Sequence, residues 1–117
     1  MSLARLLLVM TLATAASVRA ADHSLEMHVS PTVAFAPSDV MIDMTVERRE
    51  SNHRLDVMLD SDGYFRSSSI DLDGERSARV ISVRFRQVPA GRYEVRVELL
   101  NGEGQAVAFA STWISIT

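Results

Sequence analysis

Apolar and polar residues alternate along most of the chain beyond residue 23. In the clearest run, from Arg92 to Leu99, apolar residues occupy the odd positions and charged residues the even ones. A period of two is typical of a β-strand with one buried and one solvated face. No segment beyond the N-terminal stretch keeps a helical period. The pattern predicts strands at 24–30, 39–48, 53–60, 64–70, 78–87, 92–100 and 105–116.

Turn-forming residues separate the predicted strands. Asp62-Gly63 is typical of a two-residue hairpin turn of type I′, which needs positive φ at both central residues. Pro31 and Pro37 bracket residues 32–36, which we interpret as an edge segment or as a strand that switches sheets, because proline cannot donate to a ladder. Short strands at this spacing predict an all-β fold, a seven-stranded antiparallel sandwich of two sheets. Further turn signals stand at Asp73-Gly74, Pro89-Ala90-Gly91 and Asn101-Gly102.

The first twenty residues have the features of a signal peptide. One basic residue, Arg5, precedes an uncharged run rich in leucine and alanine from Leu6 to Ala16. A membrane-spanning helix needs about twenty apolar residues, so this run is too short to span a bilayer. We expect cleavage after Ala20, or after Ala21, which leaves residues 1–20 as signal peptide and 21–117 as one domain. The sequence therefore predicts export, to the periplasm or the exterior, with no membrane span after signal removal.

The composition narrows the possible partners. The chain has 12 basic residues, all arginine, against 15 acidic ones. Removal of residues 1–20 takes away Arg5 and Arg19, so the net charge falls from −3 to −5, ten basic residues minus fifteen acidic ones. This balance argues against nucleic acid and against an anionic membrane surface, since both need clustered basic residues. The chain has no cysteine, so no disulfide stabilises the domain and no lipid anchor on cysteine is expected.

The segment Val88-Pro89-Ala90-Gly91-Arg92-Tyr93, followed by strict alternation, resembles the corner before the sixth strand of immunoglobulin-like and fibronectin type III-like domains. The resemblance covers most of residues 24–116. It implies that the Tyr93 hydroxyl bonds back to the corner loop while its ring enters the core, and that Pro89 and Gly91 sharpen the turn. The chain lacks the cysteine pair of antibody-type domains, and its one tryptophan, Trp113, falls in the last predicted strand instead of the third. The resemblance therefore implies a fold and carries no function.

A second small sandwich is an open alternative. The phrase DSDGYF at 60–65, together with PAGRYEV at 89–95, also resembles the turn-and-strand segments of carboxypeptidase-regulatory-like domains. The 23 residues between the two phrases are more than that resemblance leads us to expect. The immunoglobulin-like interpretation is therefore favoured over the carboxypeptidase-regulatory-like one.

Local catalytic signatures are missing from the sequence. It has no cysteine nucleophile and no H-E-x-x-H, G-x-S-x-G or phosphate-cradling glycine motif. Its histidines are His23, His28 and His53, and a Ser–His–Asp arrangement could assemble only in space. The acidic phrases at 60–63 and 71–75 do not fit a calcium-binding loop and are interpreted as Asp-Gly turns. We expect a protein that is not an enzyme and that holds no cofactor.

Metal binding is the alternative function. If cleavage follows Ala20, the mature chain begins Ala21-Asp22-His23. A free amine, two amide nitrogens and the His23 imidazole can bind Cu²⁺ or Ni²⁺ in a square plane, an arrangement that resembles the amino-terminal site of albumin-like proteins. Cleavage after Ala21 would remove this site. Comparison with periplasmic copper carriers adds exposed histidines and methionines as candidate ligands, the methionines being Met27, Met41, Met44 and Met58. Met44 has the buried phase of its strand and is expected to fill the core, whereas Met41 and Met58 have the polar phase.

The candidate binding patch is apolar and lies after a turn. Tyr64 and Phe65 follow Asp62-Gly63 directly, so one of the two must point outward if the strand is regular. With Met58 nearby they form a candidate contact patch. If their strands are neighbours, arginines at 84, 86, 92 and 96 could pair with glutamates at 94 and 98. The sequence thus favours an exported, non-enzymatic, immunoglobulin-like binding or structural module that contacts a protein or a cell-envelope component.

Overall fold

The computed structural model describes residues 24–117, so the predicted signal peptide at 1–20 and the metal-ligand candidate His23 lie outside the described residues. The described part is all-β, as the alternation predicts, with one short 3₁₀ turn at Gly74–Arg76. Its strands are β1 (Leu25–Ser30), β2 (Val33–Ala34), β3 (Ser38–Val46), β4 (Asn52–Ser61), β5 (Tyr64–Asp71), β6 (Val80–Val88), β7 (Gly91–Asn101) and β8 (Ala106–Ile116).

The strands form two sheets. One has three strands in the order β1-β3-β6, and the other has five in the order β2-β8-β7-β4-β5. All neighbours are antiparallel except β2 and β8, which are parallel. The prediction of an all-β fold with two sheets is confirmed. The prediction of seven strands, all antiparallel, is wrong, because β2 adds an eighth strand and a parallel pair.

The additional strand β2 lies in the segment between Pro31 and Pro37. It is two residues long, which is too short to show a period of two, so the alternation could not reveal it. The chain leaves the three-stranded sheet after β1 and joins the edge of the five-stranded sheet at β2. The Ser115 amide donates to the Thr32 carbonyl at 2.9 Å, which fixes β2 beside the end of β8. The segment is therefore both an edge strand and the point where the chain switches sheets.

The core lies between the two sheets and is built from alternate residues. Each inward side chain removes apolar surface from water, which contributes about 1.5–3 kcal/mol for a Val, Leu or Ile. Because no disulfide exists in the chain, this burial holds the two sheets against each other, while ladder hydrogen bonds join the strands within each sheet. The fully buried side chains include Val40, Ile42 and Met44 from β3, Leu55, Val57 and Leu59 from β4, and Tyr93, Val95 and Val97 from β7.

The β4–β5 turn and strand β6 both depart from regular backbone geometry. The β4–β5 turn has two residues, with Ser61 opposite Tyr64, but Asp62 and Gly63 both lack a positive φ, so the turn is not of type I′. In residues 24–117 positive φ occurs at Gln87, Gly74 and Gly104. Gln87 sits in β6 where the pairing with β3 shifts register, and its amide donates to the Asp39 carboxylate at 2.9 Å. The carboxylate thus provides a hydrogen-bond partner for the Gln87 amide beside the register shift.

Candidate contact face of the five-stranded sheet

The face of the five-stranded sheet that is turned away from the three-stranded sheet is called the outer face. Alternate residues of β5, β4, β7 and β8 form rows across it, because the strands are in register. The first row is Phe65, Asp60, Glu94 and Trp113, the second is Ser67, Met58, Arg96 and Ser111, and the third is Ser69, Asp56, Glu98 and Phe109.

Three aromatic side chains are exposed on the outer face. Phe65 is 59% exposed, Phe109 55% and Trp113 51%. Phe65 belongs to the outermost strand β5, whereas Phe109 and Trp113 both belong to β8. The candidate patch predicted from the sequence does not include the two β8 residues, because β8 is apolar in both phases. The signal that could have revealed them is this apolar composition in both phases. A strand of this kind has apolar side chains on its outer face as well as on its inner face.

Two arginines of β7 lie over the aromatic rings of β8. The Arg92 guanidinium is 4.9 Å from the centre of the Trp113 ring, and that of Arg96 is 4.4 Å from the centre of the Phe109 ring. A cation over an aromatic face contributes about 0.5–1 kcal/mol at an exposed site. Each arginine reaches diagonally across the ladder, since its direct neighbour on β8 is a serine. The two contacts restrict the orientations of rings that are otherwise half exposed.

The structure brings Met58 and Phe65 together on the outer face but places Tyr64 on the opposite side of β5. Met58 is half buried and stands opposite Ser67, one row away from Phe65. The Tyr64 ring points inward and meets the Tyr93 ring edge-on, with 5.9 Å between ring centres and 86° between ring planes. Of the three residues of the candidate patch, two therefore share a face.

The neighbours of Phe65 fix its direction. Tyr64 packs on Tyr93, and Arg66, which has the same phase as Tyr64, extends across to the three-stranded sheet. The Arg66 guanidinium lies 5.4 Å from the centre of the Phe85 ring and donates to the Arg86 carbonyl at 3.2 Å. With both flanking side chains turned inward, Phe65 must point out.

The corner before β7 has the geometry that the resemblance implies. The Tyr93 ring is fully buried, and its hydroxyl donates to the Pro89 carbonyl at 2.8 Å. A Cβ added at Gly91 would lie only 3.1 Å from Cε2 of Tyr93, so the ring covers the glycine backbone closely. Burial raises the pKa of Tyr93, because the phenolate would be poorly solvated there.

A cleft of about 930 Å³ opens at the end of the sandwich beside this corner. The β4–β5 turn and the β6–β7 corner form its two sides, and Glu94 and Trp113 from the outer face complete it. It brings together Tyr64, Pro89 and Gly91, which are far apart in the sequence. The cleft joins the first row of the outer face to the corner, so that Trp113 and the turn residue Asp62 line the same space.

Charges on the outer face are paired along strands. Arg54 contacts Asp56 at 3.0 Å, and Arg96 contacts Glu98 at 3.1 Å. The cross-strand pairs between arginines of β6 and glutamates of β7 do not form, because β6 and β7 belong to different sheets. Asp60 stands directly opposite Glu94, and neither has an ion pair within 4.0 Å among residues 24–117. Like charges in such positions repel, and the cleft lining has three acidic side chains, Asp60, Asp62 and Glu94, against one basic side chain, Arg92.

The other metal-ligand candidates are dispersed. Met44 is fully buried in the core, whereas Met41 and Met58 are half buried on the outer faces of different sheets. His28 lies on β1 and His53 on β4, so they too belong to different sheets. Over the described range, no group of three or more histidine or acidic residues is placed to hold a metal ion. The same range contains no helix that is long and apolar enough to cross a membrane.

Comparison with known proteins shows a shared fold and no more. No protein-family model matches the chain, and no curated protein matches it. A superoxide reductase (neelaredoxin) from Ignicoccus hospitalis is similar with a TM-score of 0.58 at 8% identity, over 81% of each chain. The sulfur carrier protein SoxY from Chlorobium limicola f thiosulfatophilum has a TM-score of 0.57 at 13% identity, over 82% of this chain and 81% of that one.

A third similar structure is a family 76 glycoside hydrolase from a bovine Bacteroides thetaiotaomicron strain. Its TM-score is 0.54 at 14% identity, and the match covers 77% of this chain but 19% of that chain. The named proteins differ widely in function. At these identities the likeness supports a β-sandwich fold for this chain and assigns it no activity.

Proposed function

We propose that this chain is an exported, non-enzymatic, immunoglobulin-like module that binds a protein or a cell-envelope component through its outer face. One observation carries the proposal: three aromatic side chains, each about half exposed, lie on a single face, and arginines lie over two of them. Aromatic residues and arginine are the residue types most enriched at protein interfaces and at their energetic centres.

The immunoglobulin-like assignment is supported by topology and by the tyrosine corner. The central strands of the five-stranded sheet follow the order β8-β7-β4-β5, and the three-stranded sheet pairs β3 with β6. This order resembles that of immunoglobulin-like domains, in which the corner tyrosine stands near the start of the penultimate strand. Tyr93 stands at the third position of β7 and bonds back to Pro89.

The charge of the cleft favours a partner that presents a basic group. Asp60 and Glu94 face one another beside Trp113, and Asp62 lies on the adjoining turn. A guanidinium or ammonium group at this point would relieve the repulsion between the carboxylates, beside the indole ring that Arg92 covers. We therefore place the contact across Phe65, Met58 and the cleft.

Photo-crosslinking tests the proposed face with a matched control. Phe65 on the outer face and Val80 on the three-stranded sheet are both 59% exposed. A photoreactive amino acid is introduced at either position, and living cells that produce the protein are irradiated. The proposal expects a discrete crosslinked product from position 65 and none from position 80. Equal products from both positions, or none from position 65, would contradict it.

Export is tested separately at the N-terminus. The predicted signal peptide implies that the chain recovered from the cell envelope or the medium begins at Ala21 or Asp22. The intact mass of the recovered protein, measured by mass spectrometry, identifies its first residue directly. A recovered chain that retains residues 1–20 would contradict export through signal cleavage.

A further inference from the structure

Strand β8 has the composition of a buried strand but the position of an edge. From Ala106 to Ile116 it contains no charged residue, no proline and no glycine. Its neighbour β2 pairs only with Ser115 and Ile116. Within residues 24–117, the stretch from Ala108 to Ile114 thus has no hydrogen-bonded strand on the side away from β7, although β1 of the three-stranded sheet passes near β8.

The free edge presents hydrogen-bonding groups at alternate residues. The amides of Ser115 and Thr117 donate to β2, so they point away from β7. Since backbone groups alternate sides along a strand, the amides of Phe109, Ser111 and Trp113 point in the same direction. Edge strands are normally protected from pairing by charges, prolines or bulges. The stretch from Ala108 to Ile114 has none of these.

We propose that two copies of this chain associate by antiparallel pairing of their β8 edges, with Ser111 at the two-fold axis. The regular free stretch is bounded by the register shift near Val107 on one side and by the β2 pairing at Ser115 on the other. Its middle residue is Ser111. Antiparallel pairing about this residue sets Phe109 of one copy opposite Trp113 of the second copy, twice.

This register satisfies both the backbone and the side chains. It pairs odd residues with odd residues, so the free amides and carbonyls of the two edges face each other and can exchange hydrogen bonds. It also places aromatic side chains opposite one another, a favourable cross-strand pair. The arginines that lie over these rings belong to β7, so they remain one strand away from the new junction.

A second copy is the occupant that fits, because the edge is self-complementary. An uncharged strand meets an identical strand without electrostatic repulsion, and a two-fold axis uses the same surface on both copies. Four rings, each about half exposed, supply on the order of 400 Å² of aromatic contact. That is below the roughly 1,200 Å² of a standard stable interface. We therefore expect a weak, concentration-dependent association.

Sedimentation velocity of the mature protein across the micromolar range tests the dimer. The weight-average mass rises with concentration toward twice that of the monomer, and Trp113 fluorescence shifts to the blue as the ring leaves water. Ser111→Lys sets two like charges against each other at the axis and raises the dissociation constant about ten-fold or more. Ser67→Lys is the matched control, since Ser67 is an exposed serine in the same row on the opposite edge strand.

The expected result is dimerisation by the wild type and by Ser67→Lys but not by Ser111→Lys, with equal thermal unfolding of the two variants at concentrations well below the dissociation constant, where both are monomers. Ser111→Glu replaces Ser111→Lys if the latter fails to fold. A wild type that stays monomeric, or a Ser111 variant that still dimerises, overturns the proposal. A monomer whose edge instead captures an extended peptide also overturns it. Phe65 lies at the far edge of the sheet, so failure of the dimer leaves the crosslinking test of the proposed function unaffected.

Discussion

The hydroxyl of Tyr93 donates a hydrogen bond of 2.8 Å to the carbonyl oxygen of Pro89, four residues earlier in the chain. The ring itself is fully buried between the sheets. One side chain thus anchors the β6–β7 connection to the core. Because the same connection forms one side of the cleft, this contact also fixes the position of the cleft wall.

Removing the hydroxyl should weaken the fold without changing it. Tyr93→Phe leaves the Pro89 carbonyl without this donor, and loss of such a bond lowers the free energy of unfolding by about 1–2 kcal/mol. Urea denaturation measures the change, with an unchanged slope expected. Tyr64→Phe is the control, since the Tyr64 hydroxyl only accepts a 3.4 Å contact from exposed Arg66. An equal decrease in the free energy of unfolding in both variants would show that the Tyr93–Pro89 hydrogen bond stabilises the fold no more than the Tyr64 contact does.

A methyl group at Gly91 should disturb the buried ring. The added Cβ would meet Cε2 and Cζ of Tyr93 at 3.1 and 3.2 Å, which is too close for ordinary contact. We expect Gly91→Ala to lower the free energy of unfolding by about 1–3 kcal/mol through overpacking. Gly63→Ala is matched to it, because that Cβ meets nothing within 4 Å and the φ of Gly63 is not positive. It should leave the midpoint unchanged or raise it slightly. If Gly63→Ala were the less stable of the two variants, the close packing of Tyr93 on Gly91 would be contradicted.

The buried phenol predicts a loss of stability at high pH. Burial is the largest cause that raises the pKa of Tyr93 above its ordinary value of 10.0. Below pH 10 both the folded and the unfolded chain keep the proton, and the contribution is complete. As the pH rises past 10, the unfolded chain releases its proton first, so the free energy of unfolding falls. Urea midpoints at pH 9, 10 and 11 should fall for the wild type more steeply than for Tyr93→Phe. Parallel curves would contradict the assignment.

Opposed carboxylates on the outer face should respond oppositely to neutralisation. Asp60 faces Glu94, and neither carboxylate has an ion pair within 4.0 Å among residues 24–117, so Asp60→Asn should raise the free energy of unfolding by about 0.2–1 kcal/mol at low salt. Asp56 faces Glu98 but accepts from Arg54 at 3.0 Å and from Ser69 at 2.7 Å. Asp56→Asn should therefore destabilise the protein. Salt should reduce the Asp60→Asn effect by screening. If both variants destabilise equally, the cleft has no unbalanced charge.

The strands could be predicted where one face is apolar and the other is charged. β3, β4 and β7 show this contrast, and their predicted bounds lie within two residues of the observed ones. Strand β2 could not be predicted, because a strand of two residues that is held by backbone hydrogen bonds shows no side-chain period. Nor could the direction of Phe65, because adjacent Tyr64 is equally apolar and only packing on Tyr93 decides between them.

The cleft and the β8 edge could not be predicted for a different reason. The cleft joins the β4–β5 turn, the β6–β7 corner and Trp113, and only the sheet order brings these segments together. In β8 both phases are apolar, so the alternation does not tell which face is inside. The pairing with β7 decides it, since Ile114 stands opposite buried Tyr93 and Trp113 opposite Glu94 on the outer face.

Thiol labelling in intact cells tests the proposed contact face most directly. The chain has no cysteine, so a single Phe65→Cys or Val80→Cys substitution introduces the only thiol. Both positions are equally exposed in the isolated domain, and a membrane-permeant maleimide should label them at similar rates in the purified protein. In intact cells the account predicts that labelling slows several-fold at position 65 and stays unchanged at position 80. Unchanged labelling at position 65, or equal protection at both positions, would contradict the outer face as the surface of contact.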